Sequence, residues 1–198
     1  MVLKHVLGIM LNPSKEWQEI REENTTMSEV YLQHVLLLAA IPPICAFIGA
    51  TQLGWIVGDN VHRLTASSTA PMAFGFYLAS LLGVYVMGRA IFWMSETYGA
   101  GATLDKCIVL AAHTITPMFI CGLIALFPVP WIILVVGLFA VGYTVYLIYT
   151  GIPVVMGIDK DQGFLFASAV LTVGMVTLVA VMASTVVLWG LGLGPQHM

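Results

Sequence analysis

With 198 residues, of which 60% are hydrophobic and only 9% charged, the chain cannot dress itself in a water-facing surface. Soluble domains carry about 25% charged residues, and the mean hydropathy of +0.97 points the same way. A net charge of −3 argues against a nucleic-acid partner, and Cys45, Cys107 and Cys121 lie in apolar runs without paired spacing, so neither a disulfide framework nor a zinc site is read from them.

The chain opens on two amphipathic pieces. Leu3, Leu7 and Leu11 recur every four residues, with Val6 and Met10 beside them. After Asn12-Pro13, a helix start, Trp17 and Ile20 share a face, while Lys15, Glu16, Glu19, Arg21, Glu22 and Glu23 take the rest. Residues 1–29 therefore read as a short cytoplasmic amphipathic segment lying on the membrane, with a merely solvated, charged lead-in as the alternative. No cleavable signal is read ahead of the first span.

Residues 30–198 read as an all-α membrane domain, a bundle of five transmembrane helices. A bilayer core of about 30 Å needs about 20 apolar residues as helix, and five runs meet that length: 35–57, 71–95, 107–127, 131–150 and 164–191. Pro42-Pro43 predicts a kink in the first. Pro71 suits the first position of the second, and Thr103 the N-cap of the third. Thr150, Gly151 and Pro153 are expected to end the fourth. Asp161 is expected to cap the fifth, which Gly192, Gly194 and Pro195 close.

Lys4, Lys15, Arg21, Lys106 and Lys160 fall on one side of this arrangement and Arg63 on the other, which predicts a cytoplasmic N-terminus and a periplasmic C-terminus. All five tryptophans fit interfacial positions: Trp55, Trp131 and Trp189 at outer helix ends, Trp93 at an inner end and Trp17 beside the membrane. Gly83, Gly88, Gly137 and Gly142 offer close helix packing.

Ionisable groups within spans are costly and mark candidate sites. Arg89 lies six residues before the end of span two, about 9 Å along the axis at 1.5 Å per residue, with Glu96 on the same face. If spans two and three form a hairpin centred on Gly101, Arg89 and His113 share a depth, and Arg89, Glu96, Asp105 and His113 gather on the cytoplasmic side. Tyr146 and Tyr149 line the inner half of span four and complete a candidate ion or solute site. The alternatives are an arginine that snorkels to the interface, a hydrogen-bonded structural histidine and belt tyrosines. Asp159 and Asp161 are weak candidates for a metal ion, since two acids around a lysine also make an ordinary loop. Glycine-rich phosphate loops, nucleophile elbows and zinc-protease motifs are missing, so neither a catalytic residue nor a cofactor is assigned and the chain is read as a non-enzyme.

Three local patterns bear a likeness: Leu11-Asn12-Pro13 with Trp17 and Ile20; Tyr98-Gly99-Ala100-Gly101-Ala102 followed by His113-Thr114-Ile115-Thr116-Pro117; and Tyr149-Thr150-Gly151-Ile152-Pro153. With five spans and a cytoplasmic N-terminus, the chain resembles the YIP family (Ypt/Rab-interacting-protein type) in its short bacterial inner-membrane branch. Eukaryotic relatives of that type work in endoplasmic reticulum–Golgi traffic and associate with small GTPases. The long soluble N-terminal region and the Asp-Leu-Tyr-Gly-Pro motif of that branch are missing here, so a GTPase partner is not carried over. The resemblance implies fold and inner-membrane location and brings no catalytic residues. Two readings of function stand. In the first, the bundle binds or carries a small ion or solute through the polar cluster, as a homo-oligomer. In the second, it is a membrane-organising or adaptor protein acting through helix faces on lipid and protein partners.

Overall fold

The computed structural model describes residues 2–57, 60–188 and 190. Trp189 and the closing Gly192, Gly194 and Pro195 lie outside them. Two short helices, α1 (Val2–Leu11) and α2 (Pro13–Glu22), precede five helical runs long and apolar enough to cross a membrane. Their axes alternate between two ends. At one end Arg21 of α2 lies beside Gly157, and the Asp105 carboxylate accepts from Met27 N at 3.0 Å. At the other, a small antiparallel hairpin of β1 (Trp55–Val57) and β2 (Asn60–His62) meets the segment before span four, where Ile56 N donates to Pro128 O at 3.2 Å.

The first span starts at residue 27, earlier than the apolar run alone predicts. Thr26 and Glu29 form a reciprocal capping box, each side chain accepting from the other's backbone N–H. The run passes from α3 (Met27–Val30) through a wider π-type turn, Tyr31–Val35, into α4 (Leu36–Leu38). After a turn at residues 39–40 it continues as α5 (Ile41–Ile48), with Pro42 and Pro43 in its opening turn, and ends in a second π-type turn, Gly49–Leu53. Residues 55–57, expected to finish the span, are instead extended in β1.

Span two, α6 (Ala66–Ser95), is one long helix that begins five residues before Pro71. The Tyr98–Ala102 loop follows it; its glycines Gly99 and Gly101 have φ of 69° and 52°, left-handed values that disfavour other residues. Tyr98 stacks on Phe166 with ring centroids 5.1 Å apart. Span three, expected as one helix, is broken into α7 (Leu104–Thr114) and α8 (Thr116–Cys121), followed by a 3-10 stretch, Gly122–Leu126. The cause is Pro117, which has no N–H to donate back to residue 113. Thr103 Oγ1 caps α7 as expected, accepting from Lys106 N at 3.4 Å.

Span four, α9 (Pro130–Met156), runs through Gly151 and Pro153 instead of stopping at residue 150. Span five, α10 (Lys160–Leu188), is capped by Asp159, whose Oδ1 accepts from Asp161 N and Gln162 N at 2.9 Å, not by Asp161.

Spans one and three form the interior, with 56% and 61% of their apolar windows buried. The corresponding shares for spans two, four and five are 6%, 11% and 17%, so these three make the outer wall. Their exposed Phe74, Leu82, Trp131, Leu138, Phe139, Met175 and Val179 are suited to acyl chains. Of the glycines expected to permit close packing, only Gly88 does so: a Cβ there would lie 2.5 Å from Ile108 Cγ1, whereas Gly83, Gly137 and Gly142 face open space.

The N-terminal helices pack against protein. Val6, Ile9, Trp17 and Ile20 are buried, while Leu7, Met10 and Leu11 stay exposed on the other side of α1. Trp17 is fully buried over Gly151, and a Cβ on residue 151 would come within 2.7 Å of its indole. The Tyr143 hydroxyl reaches the last carbonyls of α1, at 2.9 Å from Ile9 O and 3.1 Å from Met10 O. Trp17→Ala is expected to cost about 3–5 kcal/mol, the usual range for emptying a buried aromatic site. Unfolding in mixed detergent micelles measures this, and faster proteolysis within residues 2–25 would show that the two helices have come loose.

Candidate functional site

Where α1 and α2 meet the bundle, three histidines from distant parts of the chain come together. His5 comes from α1, His34 from the π-type turn of span one and His113 from the last turn of α7. The rings of His34 and His113 are 4.5 Å apart and tilted by 31°, and that of His5 stands edge-on to His113 at 5.7 Å.

Each ring is held by a specific partner. His5 Nδ1 lies 2.6 Å from Glu16 Oε1 and His5 Nε2 3.2 Å from Glu23 Oε2, so two carboxylates of α2 grip both edges. Glu16 is itself buried and sits directly over Gly8, where any Cβ would collide with its carboxylate. His113 Nδ1 is 2.8 Å from Val109 O and donates to it, which leaves Nε2 as an acceptor. His34 Nε2 is 2.8 Å from Thr116 Oγ1, and the Thr116 hydroxyl donates to Ala112 O at 3.4 Å. His34 Nδ1 is buried and has no partner.

The break in span three is what makes room for this pair. Thr116 opens α8 where Pro117 interrupts the helix, and it turns its hydroxyl to His34, 82 residues away. Irregular backbone at membrane depth is tolerated where it is buried in protein, and Thr114 and Thr116 are both buried. Beside the rings is a partly open cavity of about 310 Å³, whose wall includes His5, Glu23, Asn24, Gln33, His34 and His113. That volume lies at the lower end of the ~300–1,000 Å³ typical of small-molecule sites.

The residues singled out in the sequence occupy separate settings. His113 is in this cluster. Asp105 caps the start of span one through Met27 N. Arg89 is exposed on α6 with its guanidinium 5.8 Å from the Phe92 ring, and among the described residues no ion pair joins it to Glu96, which is exposed just past the helix. Tyr146 is 45% exposed beside Tyr143. Tyr149 places its hydroxyl 2.9 Å from Ser168 Oγ and its ring against Phe164. Asp159 spends a carboxylate oxygen on the α10 cap and Asp161 is exposed in the following turn. Among the described residues no three His, Cys, Asp or Glu side chains are arranged to hold a metal ion.

His5, Glu16, Glu23 and His34 were not anticipated. A signal for His34 was available, since the Thr26–Glu29 capping box starts the helix at residue 27 and so puts His34 inside the span. Nothing local marks His5, whose partners are set by the folding of α1 back onto α2.

A five-span helical bundle with a polar cluster closed over by two N-terminal helices is thus the class of protein in hand. The Yip1 domain matches residues 7–181, and the chain belongs to the Yip1 family. It is 45% identical over 191 residues to the inner membrane protein YohC of Escherichia coli strain K12, covering 96% of this chain and 98% of that one, and equally to YohC of E. coli O6:H1. No solved structure matches it.

Thr116→Val removes the hydroxyl that bonds His34 Nε2 in a buried site. It is expected to cost about 1–3 kcal/mol, while combining it with His34→Leu restores part of that loss. A double-mutant cycle on unfolding in mixed micelles reads the coupling.

Proposed function

We propose that this chain is a non-enzymatic inner-membrane protein that binds a small polar or ionic solute in the cavity beside His5, His34 and His113. The observation that carries the reading is an open polar cavity of about 310 Å³ lined by three histidines, one of which, His34, keeps a buried Nδ1 without a partner. Natural structures leave few such groups unsatisfied, and each one calls for an occupant or a role. Lys15, Arg21, Lys106 and Lys160 lie in or next to the segments gathered at this end, and Arg63 follows the opposite hairpin. This supports an N-terminus, and a cavity, facing the cytoplasm. The inner-membrane location rests on the likeness to YohC.

Binding is favoured over passage across the membrane by the contrast between the two halves of the bundle. In span three the polar side chains end at Thr116, and the rest of α8 and the 3-10 stretch are apolar, while Thr51 and Thr69, buried in the other half, spend their hydroxyls on the backbone carbonyls of Phe47 and Thr65. Conduction would need further polar surface from a second copy of the chain.

A membrane-organising role is the second reading, favoured by the thinly covered outer helices and by an apolar cleft of about 380 Å³. Pro43, Ile44 and Phe47 of α5 face Phe74 and Tyr77 of α6 across it. That surface suits lipid chains or another apolar helix.

The two readings separate in reconstituted vesicles. A panel of small ions and polar solutes should include at least one that binds saturably to the intact protein. His113→Ala should abolish that binding and Ser80→Ala, on the exposed face of α6, should leave it intact. No saturable binding by any of the panel, together with enrichment of a particular lipid or recovery of a stable cross-linked partner, would overturn solute binding in favour of the organising role.

A further inference from the structure

We propose that α1 and α2 form a re-entrant hairpin: α1 is sunk into the leaflet on its side of the bilayer, and its free face of Leu7, Met10 and Leu11 packs against the acyl chains of that leaflet. Depth is the first reason. Tyr143 stands thirteen residues from either end of the 27-residue α9, about 20 Å from each at 1.5 Å per residue. Its hydroxyl donates to Ile9 O and Met10 O, so the end of α1 lies at mid-span. Long side chains on a helix lean toward its N-terminus. For α9 that is the far side of the bilayer, so the reach of the tyrosine does not carry α1 back to the surface. The whole of α9 is about 40 Å long, about 10 Å more than the hydrocarbon core needs. Were all of that excess to protrude beside α2, the end of α1 would still lie about 10 Å inside the hydrocarbon.

The hydrogen bonding of the hairpin tip is the second reason, and it is independent of the depth. In water the last carbonyls of a helix are satisfied by solvent; in hydrocarbon the protein must supply the donors. Gly8 O accepts from Asn12 N at 2.8 Å, and Asn12 O from Glu16 N at 3.1 Å. Pro13 has no N–H to return to Ile9 O, and the Tyr143 hydroxyl stands in for it at 2.9 Å. A donor from a different helix thus closes the tip where the chain itself cannot.

The two outer faces of the hairpin fit this placement. Leu7 is 57% and Leu11 81% exposed, one turn apart on the side of α1 away from the bundle. Phe139, one turn beyond Tyr143 on the same face of α9, is exposed as well, so the surface past the tip is already part of the lipid-facing wall. Helix α2 climbs from the tip along α9, with Trp17 over Gly151 and Arg21 beside Gly157. Its exposed side chains are the polar Lys15, Gln18 and Glu22. Lys15, the nearest of these to the tip, leans toward the surface, 3.5 Å from Glu19 one turn higher. The apolar side of the pair therefore faces acyl chains and the polar side headgroups and water.

The test is electron paramagnetic resonance of the full chain in vesicles of phosphatidylethanolamine and phosphatidylglycerol. A nitroxide is attached at Leu7→Cys, Leu11→Cys, Gln18→Cys or Phe139→Cys, all exposed positions, and the unsubstituted chain gives the background from Cys45, Cys107 and Cys121. Oxygen, which partitions into hydrocarbon, and a water-soluble nickel chelate compete as relaxing agents. The ratio of oxygen to nickel relaxation at residues 7 and 11 should match that at 139 and stand several-fold above that at 18. A ratio at residue 11 equal to that at 18 would put α1 in water and overturn the re-entrant hairpin. Labels at 7 and 11 shielded from both agents would show that protein, such as a second copy of the chain, covers this face, and would overturn its contact with acyl chains.

Discussion

Trp17 is the contact on which the polar end of the molecule depends. Its indole fills the space over Gly151 that the absence of a side chain leaves open, and Leu110 of α7 approaches the same glycine. A buried aromatic of this size removes roughly 150–250 Å² of surface from solvent, so one residue fixes α2 to α9. With α2 held there, Glu16 and Glu23 are presented to His5, and α1 is drawn over His113. The small residue of the Tyr-Thr-Gly-Ile-Pro segment and the tryptophan of the N-terminal segment, 134 positions apart by their numbering, are two halves of one joint.

The second constraint is the membrane itself. A spanning backbone must satisfy its own hydrogen bonds, so departures from the α-helix need buried partners. Here the departures are concentrated in the two interior spans. The π-type turn at Tyr31–Val35 and the break at residue 115 face each other through His34 and Thr116. The outer spans, α6, α9 and α10, are uninterrupted helices despite Pro71 and Pro153. Irregular backbone and polar side chains occur together because each supplies what the other needs to stay buried.

Membership of the Yip1 family and the likeness to YohC over nearly the whole chain agree with this architecture. They bear on fold and setting, and the chemistry has to be argued from the site. The three segments that carried the family resemblance all have structural duties. Trp17 and Gly151 form the joint, the Tyr98–Ala102 loop turns through its two left-handed glycines, and the His113–Pro117 segment contains the break in span three.

Five spans were legible in the sequence because spanning is a local property: length, apolarity and the self-contained hydrogen bonding of a helix decide it without reference to neighbours. The Thr103 cap was legible for the same reason. Helix breaks were less so, since Pro117 breaks its helix and Pro71 and Pro153 do not, and only the surroundings distinguish them. The site was least legible. Arg89 and Glu96 share a helical face, yet both are exposed and among the described residues no ion pair joins them, because the face is set by what α6 packs against. His5, Glu16, Glu23, His34 and His113 lie far apart in the chain and meet only once α1 and α2 fold back under Trp17. Periodicity says which residues share one helix face; which faces meet was decided by packing over Gly151 and around Thr116.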